Sequence, residues 1–234
     1  MQAGFKLERD EQGRLVLCDL QNIKQHPLVV DFASAGLNYR RTHGVGKNQT
    51  LGKALGLKAH PSPTVIDATA GMGVDAFIMA SLGCRVRAFE RSEVVFSLLQ
   101  DGYRRLLEHE PTECKQNERE LQAIAGRLSF ECCDAVVVLS NLANEDRPDL
   151  IYLDPMFPEE GRAKTALPKK GMQTFRRLIG EENDTLELLK VALNCAKKRV
   201  VVKRPIHSPN LEIGRKPTHV FLGKSTRFDM YLCE

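Results

Sequence analysis

The sequence predicts an α/β fold: a mostly parallel sheet closed by an antiparallel C-terminal hairpin, with a small N-terminal α+β extension. Three observations predict it. Past residue 60, short apolar runs rich in β-formers alternate with amphipathic stretches of helical length, as βα units require. A glycine turn, Gly71-Met72-Gly73, sits where one such run gives way to a helical pattern. The chain then ends in two strand-like runs joined by Gly223-Lys224-Ser225. Pro61-Ser62-Pro63 makes a stiff boundary, dividing the chain into residues 1–60 and a main domain of residues 61–234.

In chain order, Arg14–Cys18 and Leu28–Phe32 read as short strands. A basic, glycine-containing stretch, Arg40 to Lys47, leads into a short helical pattern that runs through Leu57. Thr64–Asp67 opens the main sheet, and a helix follows from Val74 to Leu82. Cys84–Glu90 is the second strand, before a long helix from Glu93 to Glu108. Leu128–Cys132 is the third, with a helix after Asp134, and Asp149–Asp154 is the fourth. An amphipathic helix over Glu182–Cys195 feeds Arg199–Lys203, whose core is three consecutive valines. His219–Leu222 and Thr226–Leu232 form the closing hairpin. The polar stretch 109–127 reads as an exposed excursion.

Composition excludes several classes. At 234 residues with 42% hydrophobic and 27% charged side chains, the chain can bury the core of one large domain. No apolar run approaches the roughly 20 residues a membrane helix needs, and Met1–Asp10 has no signal-peptide core, so a cytoplasmic protein is expected. The seven cysteines are odd in number and scattered without a Cys-x-x-Cys, which points to reduced thiols. The histidines have no ligand spacing, and no metal is expected. Charge is segregated: residues 37–58, 162–177 and 197–227 together carry +19, leaving −15 for the rest of a chain whose net charge is +4. Solvated basic loops would explain any one window. Three together suggest a basic face for a polyanion.

The chemistry concentrates in Asp149-Leu-Ile-Tyr-Leu-Asp154-Pro155-Met156-Phe157-Pro158. Pro155 cannot donate to a sheet ladder, so the strand stops at Asp154. The turn sets a carboxylate, a backbone carbonyl and an aromatic face at the edge where open α/β sheets bind ligands. Those groups suit the exocyclic amine of a stacked planar base. Upstream, Gly71 and Gly73 let the backbone approach a ligand, and the free N–H groups of Val74 and Asp75 face it from the helix start. Gly71-x-Gly73-x-x-Ala76 also meets the dinucleotide fingerprint, and Glu90 closes the next strand where an acid would hold ribose hydroxyls. A nicotinamide oxidoreductase therefore stays open. Asp67, at the strand tip, and Asp75 would repel a pyrophosphate but welcome the sulfonium and ammonium of S-adenosylmethionine. Asp134, with Ala135 beside it, is placed to bond an adenine amine, and a helix N-cap is an equally adequate role for it.

Asp67-Ala-Thr-Ala-Gly71-Met-Gly73-Val-Asp-Ala-Phe77, Phe89-Glu90-Arg91, Tyr152–Pro158 and Arg199–Pro205 resemble a bacterial family, the small-subunit ribosomal RNA guanine-N2 methyltransferases J. Val30-Asp31-Phe32 and Arg40-Arg41 fit as well, so the resemblance runs nearly the whole length. It implies a Rossmann-like class I methyltransferase sheet, S-adenosylmethionine as cofactor, and transfer to the 2-amino group of one guanosine in 16S rRNA. Two departures stand out: Met156 replaces the second proline of the wider Asp-Pro-Pro-Phe motif, and Val74 is apolar where the family often has a basic residue.

The site then comprises Asp154, Pro155 and Phe157 for catalysis, and Asp67, Gly71, Gly73, Val74, Asp75, Glu90, Arg91, Asp134, Ala135 and Asp154 for the cofactor. Arg40, Arg41, Lys47, Lys169, Lys170, Lys203 and Arg204 are the expected RNA contacts, with Arg176 and Arg177 on the segment after the catalytic turn. Rival readings are an amino-methyltransferase acting on DNA adenine-N6 or a protein amide, and a non-enzymatic RNA-binding module.

Overall fold

A computed structural model describes residues 4–22, 24–44, 46–108, 116–155, 170–180 and 184–233. The N-terminal region opens with an antiparallel hairpin of β1 (Phe5–Arg9) and β2 (Leu15–Asp19). Leu28–Phe32 does not extend it: only Leu28 bridges to Leu17. Its apolar residues are spent on the core instead, with Val30 and Phe32 buried and the Phe32 ring stacked 5.3 Å from Phe77. Two short helices follow, α1 (Ala35–Tyr39), which continues into a wide turn over Arg40–Gly44, and α2 (Thr50–Ala54).

The main sheet contains β3 (Thr64–Asp67), β4 (Arg85–Glu90), β5 (Leu128–Cys132), β6 (Leu150–Leu153), β7 (Arg199–Pro205), β8 (His219–Leu222) and β9 (Thr226–Leu232). Its order is β5-β4-β3-β6-β7-β9-β8. All pairs are parallel except the two made by β9. Between the strands run α3 (Val74–Ser81), α4 (Glu93–Leu107), α5 (Gln116–Ala125), α6 (Ala135–Asn141), α7 (Lys170–Ile179) and α8 (Thr185–Cys195).

Both faces of the sheet are covered, so its central strands are apolar throughout. Tyr152 and Val201 look towards a core shared with α3, α4, α5, α7 and the N-terminal Phe5, Leu17, Phe32 and Leu55. Ile151, Leu153, Val200 and Val202 look the other way, towards α6 and α8. Residues 1–60 thus share a core with the sheet. The polar stretch after residue 109 is not simply an exposed excursion: α5 buries Leu121, Ile124 and Ala125, whose spacing makes a narrow apolar stripe in an otherwise charged helix. Residues 109–115 lie outside the described residues. No described helix is long and apolar enough to cross a membrane.

Candidate active site

The strands place the chemistry. β6 pairs with β7 so that Leu153 faces Val202, and the next residues, Asp154 and Lys203, emerge side by side at the C-terminal edge. Lys203 Nζ lies 2.6 Å from Asp154 Oδ2 and 2.6 Å from Asp75 Oδ2. Tyr152, two residues before Asp154 and on the same face, donates its hydroxyl to Asp75 Oδ2 at 2.8 Å, and Arg40 reaches Asp75 Oδ1 at 3.1 Å. Thr69 joins the other side: its N–H donates to Asp67 Oδ1, and its Oγ1 accepts from the Asp154 N–H at 2.6 Å. Asp67, Asp75 and Asp154 therefore converge on one point from β3, α3 and β6.

Their protonation follows from burial and neighbours. Asp67 is 1% exposed. Burial, reinforced by the negative charges of Asp75 and Asp154, pushes its carboxyl up to about 8 against a bond from the Thr69 N–H. Burial also raises Asp154, to about 6, with Lys203 opposing. The Asp154 side chain keeps 37% of its surface open, so solvent moderates the effect. In Asp75 burial works upwards, but Lys203 and Arg40 prevail and hold the carboxyl below its usual range. Burial likewise disfavours charge on Lys203, yet its two carboxylates overcome it and raise its pKa.

The glycine turn lies beside this cluster. Gly71 and Gly73 have φ of +52° and +72°, which favours glycine at both. A Cβ on Gly73 would lie 2.6 Å from Leu99 Cδ1, and one on Gly71 would lie 3.3 Å from the Phe175 ring. α3 opens at Val74 directly after the turn. Glu90 braces it, accepting the Gly71 N–H at 2.9 Å and the Ser92 N–H at 2.8 Å. Asp134 caps α6 through Oδ1, which accepts from Val136 and Val137 N–H, while Oδ2 has no partner among the described residues. Glu90, Asp134, Ala135 and Pro155 line one cleft of about 40 Å³, bordered by the Arg91–Asp184 ion pair at 2.6 Å. That volume is narrow for an adenine ring. The pair is partly exposed on both sides, however, so it costs little to part.

This donor set fits S-adenosylmethionine. Buried negative charge would face its cationic end, the glycine cradle would admit the chain, Glu90 would take ribose hydroxyls, and the Asp134 oxygen that has no partner among the described residues would take the adenine amine.

The expected RNA contacts fare differently. Lys203 is drawn into the acidic cluster, and Arg204, 3% exposed, points to the opposite sheet face and donates to the Pro209 carbonyl at 2.6 Å. Arg40 pairs with Asp75, and Arg41 with Glu120. Lys47 is exposed. Arg177 is tied to Asp19 and lies over the Phe5 ring. Phe157 and Lys169 lie outside the described residues, as do the side chains of Lys170 and Arg176. Sequence reasoning missed Thr69, Tyr152 and Phe175. A threonine two residues past the strand-tip Asp67 was the one local signal available.

A family model described as "Putative SAM-dependent methyltransferase" matches residues 1–233. The ribosomal RNA small subunit methyltransferase J of Pseudoalteromonas atlantica is 45% identical over 225 residues, covering 94% of this chain and 83% of that protein. The enzyme of that name from Pseudomonas fluorescens is 42% identical, covering 97% and 82%. The crystal structure of a SAM-dependent methyltransferase from Neisseria gonorrhoeae, 38% identical, superposes with a TM-score of 0.72 over 99% of this chain and 84% of that one. With its sheet order, its acidic glycine turn and these relatives, the chain belongs to the ribosomal RNA small subunit methyltransferase J family of S-adenosylmethionine-dependent methyltransferases.

Proposed function

We propose that this enzyme transfers a methyl group from S-adenosylmethionine to the exocyclic N2 of a guanosine in small-subunit ribosomal RNA. The observation that carries the reading is the placement of Asp154, at the end of β6, directly beside the acidic glycine turn. Relatives at 45% and 42% identity bear the name of a small-subunit rRNA methyltransferase, which supports RNA over DNA or a protein amide.

Asp67, Gly71, Gly73, Glu90, Asp134 and Ala135 would hold the cofactor, with the backbone at Val74 and Asp75 nearby and Arg91 at the rim. When bound, S-adenosylmethionine supplies an electrophilic methyl group on a sulfonium. A guanine 2-amino nitrogen is a weak nucleophile because its lone pair is delocalised into the ring. Asp154 and the Pro155 carbonyl would accept hydrogen bonds from its two N–H groups and turn the nitrogen towards the methyl carbon. Lys203 fixes Asp154 through Oδ2, which leaves Oδ1 for the base. Phe157 would stack the base once it is flipped from its surroundings. The released proton leaves to the Asp154 carboxylate or to water.

The test is transfer of labelled methyl to naked small-subunit rRNA, to small subunits lacking the modification, and to DNA, with products digested to nucleosides. N2-methylguanosine from a ribosomal acceptor is the expected result. Label recovered only as N6-methyladenosine in DNA would overturn the substrate assignment and leave the methyltransferase fold standing.

A further inference from the structure

Several cations of this chain are answered by acids: Arg9 by Asp101, Arg14 by Asp10, Arg91 by Asp184, Arg104 by Glu108, Arg177 by Asp19 and Lys198 by Asp149. Four that are not so answered gather around one cleft. At the N-terminal rim of the sheet, below the C-terminal end of α8, an open cleft of about 810 Å³ is lined by Arg147, Lys190, Lys197 and Arg215. Among the described residues that line it, none is acidic or aromatic. None of the four cations forms an ion pair with a described residue. Lys197 donates to the Glu145 carbonyl, Arg215 to the Leu232 carbonyl, and Arg147 Nε is buried without a partner. Lys190, Lys197 and Arg215 are exposed.

The cations come from four separate parts of the chain: the turn before β6, α8, the turn before β7 and the segment after β7. Only the fold brings them together. Four cations within one cleft, none paired with a described acid, raise each other's electrostatic energy, a cost that an anionic partner would relieve. Without an aromatic face the cleft cannot stack a base, so it suits a phosphate backbone. Six residue steps along β7 and its approach take the chain from Lys197 to Lys203, about 20 Å at roughly 3.3 Å per residue. The cleft is therefore remote from Asp154, on the opposite rim of the same sheet.

We propose that this cleft is a second RNA-binding surface, gripping phosphates of the ribosomal RNA several nucleotides away from the guanosine in the active site. The proposal rests on the rRNA reading above. It also accounts for how RNA is held when Arg40, Arg41 and Lys203 at the catalytic rim are engaged by the protein's own acids.

The test is filter binding of naked small-subunit rRNA and of unmodified small subunits between 50 and 200 mM salt, roughly the range over which phosphate contacts are lost. The unsubstituted enzyme is compared with a Lys190→Gln/Lys197→Gln double variant. Thermal melting and S-adenosylmethionine affinity verify its fold, and Arg147→Gln serves as an independent variant. Losing two phosphate contacts should lower the slope of log affinity against log salt by about 1.5 to 2 and weaken binding about tenfold or more at low salt. Both RNA forms should be affected, with cofactor affinity unchanged. Unaltered slope and affinity in both variants would overturn the proposal. So would a loss confined to assembled subunits, which would assign the cleft to an acidic ribosomal protein. If the unsubstituted enzyme neither binds nor methylates ribosomal RNA, the substrate reading itself fails and the second surface falls with it.

Discussion

Replacing Lys203 with methionine removes one positive charge from between two carboxylates while keeping an unbranched apolar stem. Lys203 Nζ is 2.6 Å from Oδ2 of both Asp75 and Asp154. After the change, Arg40, 3.1 Å from Asp75, is the remaining cation bonded to the cluster among the described residues. Deleting one partner of a buried ion pair costs about 3–5 kcal/mol. Here Lys203 is 21% exposed and Asp154 37%, so water screens the Asp154 half and the low end, about 3 kcal/mol near pH 7, is expected. The pH dependence has a definite sign. Carboxylates that lose their cation have folded pKa values raised above the unfolded ones, so the variant is most stable in acid and loses stability as pH rises through the folded values. The deficit relative to the unsubstituted enzyme should therefore shrink towards pH 5 and widen towards pH 8, in urea denaturation at each pH. In single-turnover methyl transfer, the acid limb set by Asp154 near 6 should move up by about one unit or more. A deficit constant from pH 5 to 8, together with an unmoved acid limb, would refute the assignment of Lys203 as the group that holds Asp154 ionised.

Asp154→Ala should lower the rate of transfer by about a hundredfold or more while RNA affinity, measured by filter binding, stays within about twofold; parallel loss of both would remove its catalytic role. Gly73→Ala forces a left-handed backbone on alanine, about 1–2 kcal/mol, and drives its Cβ against Leu99, so Tm and cofactor affinity should fall together. Asp67, held up at about 8, is protonated at neutral pH and must ionise to receive a cation. Calorimetric affinity for S-adenosylmethionine should therefore rise with pH up to about 8, by at most about tenfold per unit, and Asp67→Asn should flatten that dependence.

The parts of the fold that could be read in the sequence are those decided by local chemistry. Thr64–Asp67, Leu128–Cys132, His219–Leu222 and Thr226–Leu232 form strands with the predicted limits, because short β-rich runs bounded by turn residues have few alternatives. α7 is not legible in the sequence because its flanks are basic and polar, and its buried Phe175 packs against a glycine turn more than a hundred residues away. Leu28–Phe32 has strand composition but serves as a core plug, a tertiary demand that β-propensity does not register. Lys203 was the most instructive. After three valines a lysine reads as a strand-end surface charge, and nothing local reveals that sheet register will set it between carboxylates 49 and 128 positions away. The same holds for the basic windows, whose charges the fold redistributes: Arg204 and Arg227 are buried, Lys203 is enclosed, and Lys197 and Arg215 are turned to the opposite rim.

The charge count at the catalytic edge ties these observations to the chemistry. Asp67, Asp75 and Asp154 bring three potential negative charges, and Lys203 and Arg40 bring two positive ones. Fully ionised, the cluster is short of one cation, and burial places the resulting strain on Asp67, which keeps its proton to about pH 8. A ligand with one net positive charge completes the balance, and S-adenosylmethionine, with its sulfonium, ammonium and carboxylate, carries that charge. The nicotinamide dinucleotides, with their anionic pyrophosphate, would add to the negative charge instead. S-adenosylmethionine loses its sulfonium charge when it gives up its methyl group, so these carboxylates would hold the neutral thioether product less strongly, and Asp67 would keep its proton beside it. The buried acid that makes the empty fold less stable above about pH 4 would therefore favour the charged donor over its neutral product.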